Sequence, residues 1–274
     1  MNVIGNNIAN VNTVGFKQSR TMFSDMLSAN VGNNSQVGKG VQTQVIQNIF
    51  TQGSAQGTEN ITDLSIQGNS FFALGKPGGN AQVTAQNTAY LSRAGAFKVD
   101  SSLTLVNADG YQVLDTDGRP ITFKDSGSAP TTDFSKIVSI DTKGLITYLA
   151  TDGVTQNYYD TSGNAGKSVS AANAATVQRL AVVTASDPSA LSKAGGSLYQ
   201  AGTNAGVPSG AFALASNQPN GTSEKVLTNS LEQSNVDMAN EFVKMITTQR
   251  AYSANSKTIT TTDQMTQEVL GLIR

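Results

Sequence analysis

Residues 238–274 read MANEFVKMITTQRAYSANSKTITTTDQMTQEVLGLIR. Within this run Met238, Phe242, Met245, Tyr252 and Ile259 recur at spacings of three and four or their sum. Such spacing keeps one side of an α-helix apolar, so the run predicts a long C-terminal helix. Gln249 and Ser256 interrupt the stripe, a pattern that fixes the register of paired helices at a cost in stability. The start of the chain carries a shorter version of the signal. Ile4, Ile8 and Val11 stand at i, i+4 and i+7 across residues 2–14, and Gly15 supplies a left-handed stop. Phe16 packs after that turn. The two stripes suit pairing in coiled-coil style, either with each other or with neighbouring copies. The alternative is that both helices pack on their own β domain. Helical ends around a non-helical middle suit a self-assembling subunit better than an enzyme.

Between the ends the signals are those of strands and turns. Residues 16–40 are mixed, with Met22, Phe23, Met26 and Leu27 as a short apolar face and 30–40 as an exposed Asn/Gly/Ser loop. Residues 41–50 read as extended chain. From Leu64 onward strand signals recur about every 8–12 residues, as in an all-β domain. Residues 64–66 and 71–74 predict a hairpin around Gln67-Gly68-Asn69-Ser70. Residues 97–99, 103–106 and 111–114 predict strands, with Asn107-Ala108-Asp109-Gly110 and Asp117-Gly118 as turns. Residues 137–140 and 145–149 flank the turn Asp141-Thr142-Lys143-Gly144, and 177–184 read as a buried strand. Long loops are expected over 160–175 and 202–224, and 227–235 leads into the last helix.

Composition narrows the chemistry. The 274 residues include no Cys, His or Trp. Disulfides and thiolate nucleophiles are therefore excluded, and the commonest general base and metal ligand is missing. The net charge of −1 offers no field for nucleic acid or anionic lipid. Charged residues make up 14%, against about a quarter in an average soluble domain. Asn, Gln, Ser and Thr supply the polarity instead, so like-charge repulsion between copies is small. No stretch approaches the roughly eighteen apolar residues of a membrane span, and no membrane insertion is expected. Met1-Asn2-Val3-Ile4-Gly5-Asn6-Asn7 has neither the basic nor the apolar part of a secretory leader.

Candidate sites for small ligands read better as structure. Asp115-Thr116-Asp117-Gly118 begins like a calcium loop, but Gly comes at the fourth position rather than the sixth and Ser126 stands at the twelfth. Asp100, Asp109, Asp115 and Asp117 lie beside turn residues and read as turn carboxylates rather than an acid/base pair. Gly38-Lys39-Gly40 is too short for a phosphate loop. Tyr90 and Tyr158-Tyr159 read as sheet packing, and Arg250 as either a contact to an adjacent subunit or a solvated helix face. Catalytic residues, cofactors and metals are none by this reading. A competing reading is a secreted β-rich enzyme or carbohydrate-binding module with helical extensions. It would need a carboxylate pair or an aromatic platform, and aromatic residues are only 6%.

The string Asn7-Ile8-Ala9-Asn10-Val11-Asn12-Thr13-Val14-Gly15-Phe16-Lys17 resembles the N-terminal signature of the bacterial flagellar rod and hook proteins. The likeness continues in Asp63-Leu64-Ser65-Ile66-Gln67-Gly68-Asn69-Ser70-Phe71-Phe72. It returns in Arg93-Ala94-Gly95-Ala96-Phe97 with residues 107–114, and closes in Leu231-Glu232-Gln233-Ser234-Asn235-Val236-Asp237 and Gln249-Arg250-Ala251-Tyr252. Residues 35–42, 50–53, 245–250 and 256–261 are most similar to hook proteins; a reduced outer domain keeps the rod alternative open.

The resemblance implies an α+β fold, mainly β: a discontinuous β domain whose N- and C-terminal helices form a coiled-coil-like inner domain. Residues 1–25 with 238–274 would form that inner tube, 26–62 with 222–237 a connecting segment, and 63–221 the β-rich domain. It implies a structural subunit of the flagellar hook, a helical tubular homopolymer that transmits torque as a flexible joint. The implied assembly surface is Ile4, Ile8, Val11, Phe16, Met238, Phe242, Met245, Tyr252 and Ile259. Implied partners are other flagellar axial proteins (distal rod, hook cap, hook–filament junction) and the flagellar export apparatus. Implied location is the hook and basal body, reached without a cleaved leader.

The two helices differ in length. Residues 238–274 would span about 55 Å and residues 2–14 about 20 Å, a deficit of roughly twenty residues at 1.5 Å per residue. The sequence therefore leads us to expect that Met1 lies inside a longer original helix.

Overall fold

Phe71-Phe72-Ala73-Leu74-Gly75 carries no polar side chain, so a strand built from it cannot turn either face to water. A computed structural model describes residues 1–27, 29–32, 35–78, 82–123, 134–159 and 177–272, and places this strand inside an eight-stranded antiparallel sheet. The order across the sheet is Ser192–Gly195, Leu198–Gln200, Tyr90–Ser92, Phe71–Gly75, Gln112–Val113, Leu105–Val106 and Lys98–Val99. Val182–Val183 pairs with Phe71–Gly75 as well. Side chains alternate faces along a strand. Phe72 and Leu74 accordingly enter one core with Leu64, Ile66, Val113, Phe123 and Tyr148. Phe71 and Ala73 enter a second, with Leu91, Leu114, Val183 and Tyr199.

Smaller pairings complete this unit, which comprises Asn12–Gln18 and Gln47–Asn235. Leu64–Gln67 pairs with Lys225–Thr228, and Ala55–Gly57 with Ser230–Glu232. Phe134–Ile140, Ile146–Ala150 and Gln156–Asn157 form a three-stranded sheet. The second unit comprises Met1–Val11, Ser19–Ile46 and Val236–Arg274. It holds an N-terminal helix Asn2–Ala9, the strand Ser19–Asp25, its partner strand Val41–Asn48 as far as Ile46, and a C-terminal helix Met238–Leu272 of 35 residues. The architecture is α+β and mainly β.

Several sequence expectations need correction. The N-terminal helix stops at Ala9 rather than Val14. Asn10 ends it: its Nδ2 donates to Asn6 O at 2.8 Å, a side-chain bond that competes with continued helix. Val11 therefore lies in a turn, off the helix. The strands Leu64–Gln67 and Phe71–Gly75 both form but do not pair with each other. Glu224 accounts for this, because its carboxylate accepts Asn69 N at 3.0 Å and Ser70 N at 3.2 Å, holding the connection between two sheets. The expected loop at 30–40 contains the paired strands Ala29–Gly32 and Ser35–Val37. Within 177–184 only Val182–Val183 is a strand, joined by single bridges at Arg179 and Leu180. The hairpin Phe134–Ile140/Ile146–Ala150 forms as expected around Gly144, whose φ is +73°. The expected loop at 160–175 and residue Ser126 lie outside the described residues.

Candidate assembly surface

The C-terminal helix begins on Asp237. Its Oδ1 accepts Ala239 N at 2.9 Å and Asn240 N at 3.2 Å, which satisfies amides that an α-helix start leaves open. One turn further, Glu241 is buried. Its carboxylate accepts Asn7 Nδ2 at 3.2 Å and pairs with Lys244 Nζ at 2.6 Å. Asn7 uses the rest of its amide on the first strand, donating to Ser19 O at 2.8 Å and accepting Ser19 N at 3.0 Å. One buried asparagine thus joins the N-terminal helix, a strand and the C-terminal helix of the same unit.

Past this junction the helix is almost entirely exposed. Met238 and Phe242 are exposed, Tyr252 is 75% and Ile259 71% exposed, and Met245 is half-buried. Val243, Ile246, Met265, Val269 and Leu270 are exposed as well, outside the stripe read from the sequence. Ile4, Ile8 and Val11 are half-buried. Phe16 belongs to the other unit, where it is buried with Lys193 Nζ 4.6 Å from its ring centroid.

This exposed helix is a poor helix on its own. It contains seven threonines, whose β-branched side chains lower helix propensity. Every one of those hydroxyls turns back to a carbonyl three or four residues earlier, as Thr248 does to Lys244 O at 2.7 Å and Thr266 to Thr262 O at 2.8 Å. Such back-bonding slightly destabilises a helix. Long helices in water draw most of their stability from a packed face. The face that would supply it here, from Phe242 to Ile259, is uncovered.

Sequence reasoning missed a second cluster, in the β unit. Lys17, Arg93 and Glu232 are 0%, 2% and 1% exposed and share one carboxylate. Glu232 takes Lys17 Nζ at 2.5 Å on one oxygen and Arg93 Nη1 at 3.3 Å on the other. Gly53 N adds a bond of 2.9 Å. Arg93 also donates to Gly68 O at 2.6 Å and stacks 5.0 Å from the Phe71 ring centroid. Burial lowers the pKa of both Lys17 and Arg93, against the pull of Glu232. Gly15 closes the site. Its φ is +66°, and a Cβ there would collide with the Arg93–Ala94 backbone. The strings around 17, 66–71, 93 and 232 thus converge on one buried ion cluster.

Elsewhere the turn reading of Asp115 holds. Its Oδ1 accepts Asp117 N at 3.0 Å and Arg119 N at 2.8 Å, while Oδ2 is buried without a hydrogen-bond donor. Desolvation raises its pKa to about 6. Among the described residues no helix is long and apolar enough to cross a membrane.

Comparison with known proteins assigns these parts. The flagella basal body rod protein model matches residues 1–17, the flagellar hook protein FlgE/F/G D1 domain 65–148, and the flagellar basal body rod FlgEFG protein C-terminal model 227–272. The flagellar basal-body rod protein FlgG of Bacillus subtilis is 36% identical, with 100% of this chain and 93% of the relative covered. The chain belongs to the flagellar rod and hook protein family. Rod protein FlgG of Agrobacterium fabrum is 32% identical over 97% of this chain and 90% of its own. The flagellar hook protein FlgE of Borreliella burgdorferi is 43% identical, but over 41% of this chain and 26% of its own. Rod and hook family members are structural proteins of the flagellum, not enzymes. The three matched segments carry the three charges of the ion cluster in part: Lys17 ends the first, Arg93 lies in the second, and Glu232 lies in the third.

Proposed function

We propose that this chain is a structural subunit of the flagellar axial rod, assembling into a helical tubular homopolymer through its terminal helices. The supporting observation is the helix Met238–Leu272, where Phe242, Val243, Ile246, Tyr252 and Ile259 are exposed in the single chain and Met245 is half-buried. A second copy related by a non-closing rotation would cover them and continue as a filament. Met238, Phe242, Met245, Tyr252 and Ile259 then form the contact, with Ile4, Ile8 and Val11 opposite. In the polymer the helical ends form a coiled-coil-like inner domain. Full-length similarity to FlgG supports the rod over the hook.

The hook is the second reading. It draws on the higher identity of the partial hook match and on the low charge of the chain. Contacts without strong ion pairs can slide as a joint bends. In either position the partners are neighbouring axial proteins and the flagellar export apparatus. Electron microscopy after salting-out tests assembly: tubes support the proposal, and persistent monomers oppose it. Immunogold labelling of isolated hook–basal bodies separates rod from hook.

A further inference from the structure

We propose that Lys17, in its buried cluster with Glu232 and Arg93, is an alignment residue: it fixes how the incoming segment 12–18 and the outgoing segment 230–235 lie against the β unit, without adding to that unit's stability. The inference rests on the self-assembly reading only for its consequence in the polymer.

Three observations carry it. First, the cluster sits where the two segments run together. Gly15 N donates to Glu232 O at 2.7 Å, Asn235 N to Phe16 O at 3.4 Å, and Gln18 N to Asn235 Oδ1 at 2.8 Å. Second, Lys17 is not needed to satisfy its neighbours. Its other acceptor, Thr51 O, also receives Asn235 Nδ2 at 3.1 Å. The Glu232 oxygens keep Gly53 N and Arg93 without it. Third, Lys17 adds a second cation to a carboxylate that Arg93 already neutralises, at a site with no water contact. Burying a charge is costly, and removing one partner of a buried cluster destabilises it when another charge is left unpaired; here Arg93 stays paired with Glu232, so an apolar side chain of similar size at 17 leaves no unpaired charge. The depressed Lys17 pKa has desolvation as its leading cause, which agrees. What an ammonium does supply is direction. Its bonds to Glu232 and Thr51 join 12–18 at once to 230–235 and to the chain at Thr51.

The test is Lys17→Met. The chain has no cysteine, so Asn12→Cys and Lys98→Cys, both at exposed positions of the β unit, accept spin labels cleanly. In the parent the label distance should be single and narrow. In Lys17→Met the denaturation midpoint should stay or rise, the distance distribution should broaden, and polymer yield should fall at least about tenfold. A lowered midpoint, or failure to fold, would make Lys17 an ordinary stabilising residue and overturn the proposal. An unchanged distance distribution would overturn it too. If the parent itself forms no polymer, the assembly reading fails, while the midpoint and distance measurements still decide the role of Lys17.

Discussion

Asn7 Nδ2 lies 3.2 Å from Glu241 Oε2, a bond that closes a sequence separation of 234 residues at a site out of contact with water. The same amide holds both backbone groups of Ser19. Asn7→Ala removes one hydrogen bond each from Ser19 N, Ser19 O and the Glu241 carboxylate, which keeps Lys244. Such bonds contribute about 0.5–1.5 kcal/mol each, somewhat more to a charged group. Hydrogen exchange should therefore show faster exchange at Ser19 and in the first turns of the C-terminal helix, with the β unit unchanged.

Ile259→Asp places a charge on the helix at a position that is 71% exposed in the single chain. Its thermal transition should shift by no more than about 0.5 kcal/mol, as for other surface changes. The critical concentration for polymerisation should rise at least about tenfold, equivalent to about 1.4 kcal/mol. Sedimentation across a concentration series measures both the monomer and the polymer. Unchanged polymerisation would remove Ile259 from the contact.

Asp115 gives a pH signature. Its folded pKa, about 6, lies above the ordinary carboxyl value of 3.8, so the folded state binds the proton more tightly. Stability from this group falls as pH rises from about 4 to 6, and the penalty is complete above that range. Asp115→Asn keeps the Oδ1 acceptor for Asp117 N and Arg119 N and removes the charge. The variant should be more stable at pH 8 by about 1–3 kcal/mol, and the advantage should shrink toward pH 4. Paired urea titrations at the two pH values check the sign.

Gly15→Ala should be among the most damaging single-methyl changes in the molecule. The residue has φ +66°, and the added carbon meets the backbone of Arg93 and Ala94. Left-handed strain alone costs about 1–3 kcal/mol, and the collision adds to it. Chemical denaturation of the β unit reads the loss, and Gly153→Ala, with φ +73° and open space around it in the same unit, is the control for strain without collision.

What the sequence revealed depended on the distance over which each element is stabilised. The C-terminal helix and the hairpin around Gly144 announce themselves through spacing and turn chemistry within a few residues. Leu64–Gln67 and Phe71–Gly75 were legible as strands but not as partners in different sheets. Their true neighbours include Lys225–Thr228, and Glu224 acts on the turn from more than 150 residues away. The end of the first helix was misplaced because the apolar count at Val11 outweighed the competing side-chain bond of Asn10. The ion cluster was invisible for a different reason. Nothing in the neighbouring sequence marks Lys17, Arg93 or Glu232 as buried, and only the fold removes water from all three. Their signal was indirect: each stood inside a string that resembled the flagellar family.

The threonines of the C-terminal helix carry a last consequence. With every hydroxyl folded back onto the helix's own carbonyls, much of what the helix exposes at these positions is methyl carbon. Carbon surfaces attract without preferred direction, whereas hydrogen-bonding groups hold only at one angle. A neighbour that met the helix at these positions would find a nearly level energy profile along the axis there, so small displacements would meet friction rather than breakage.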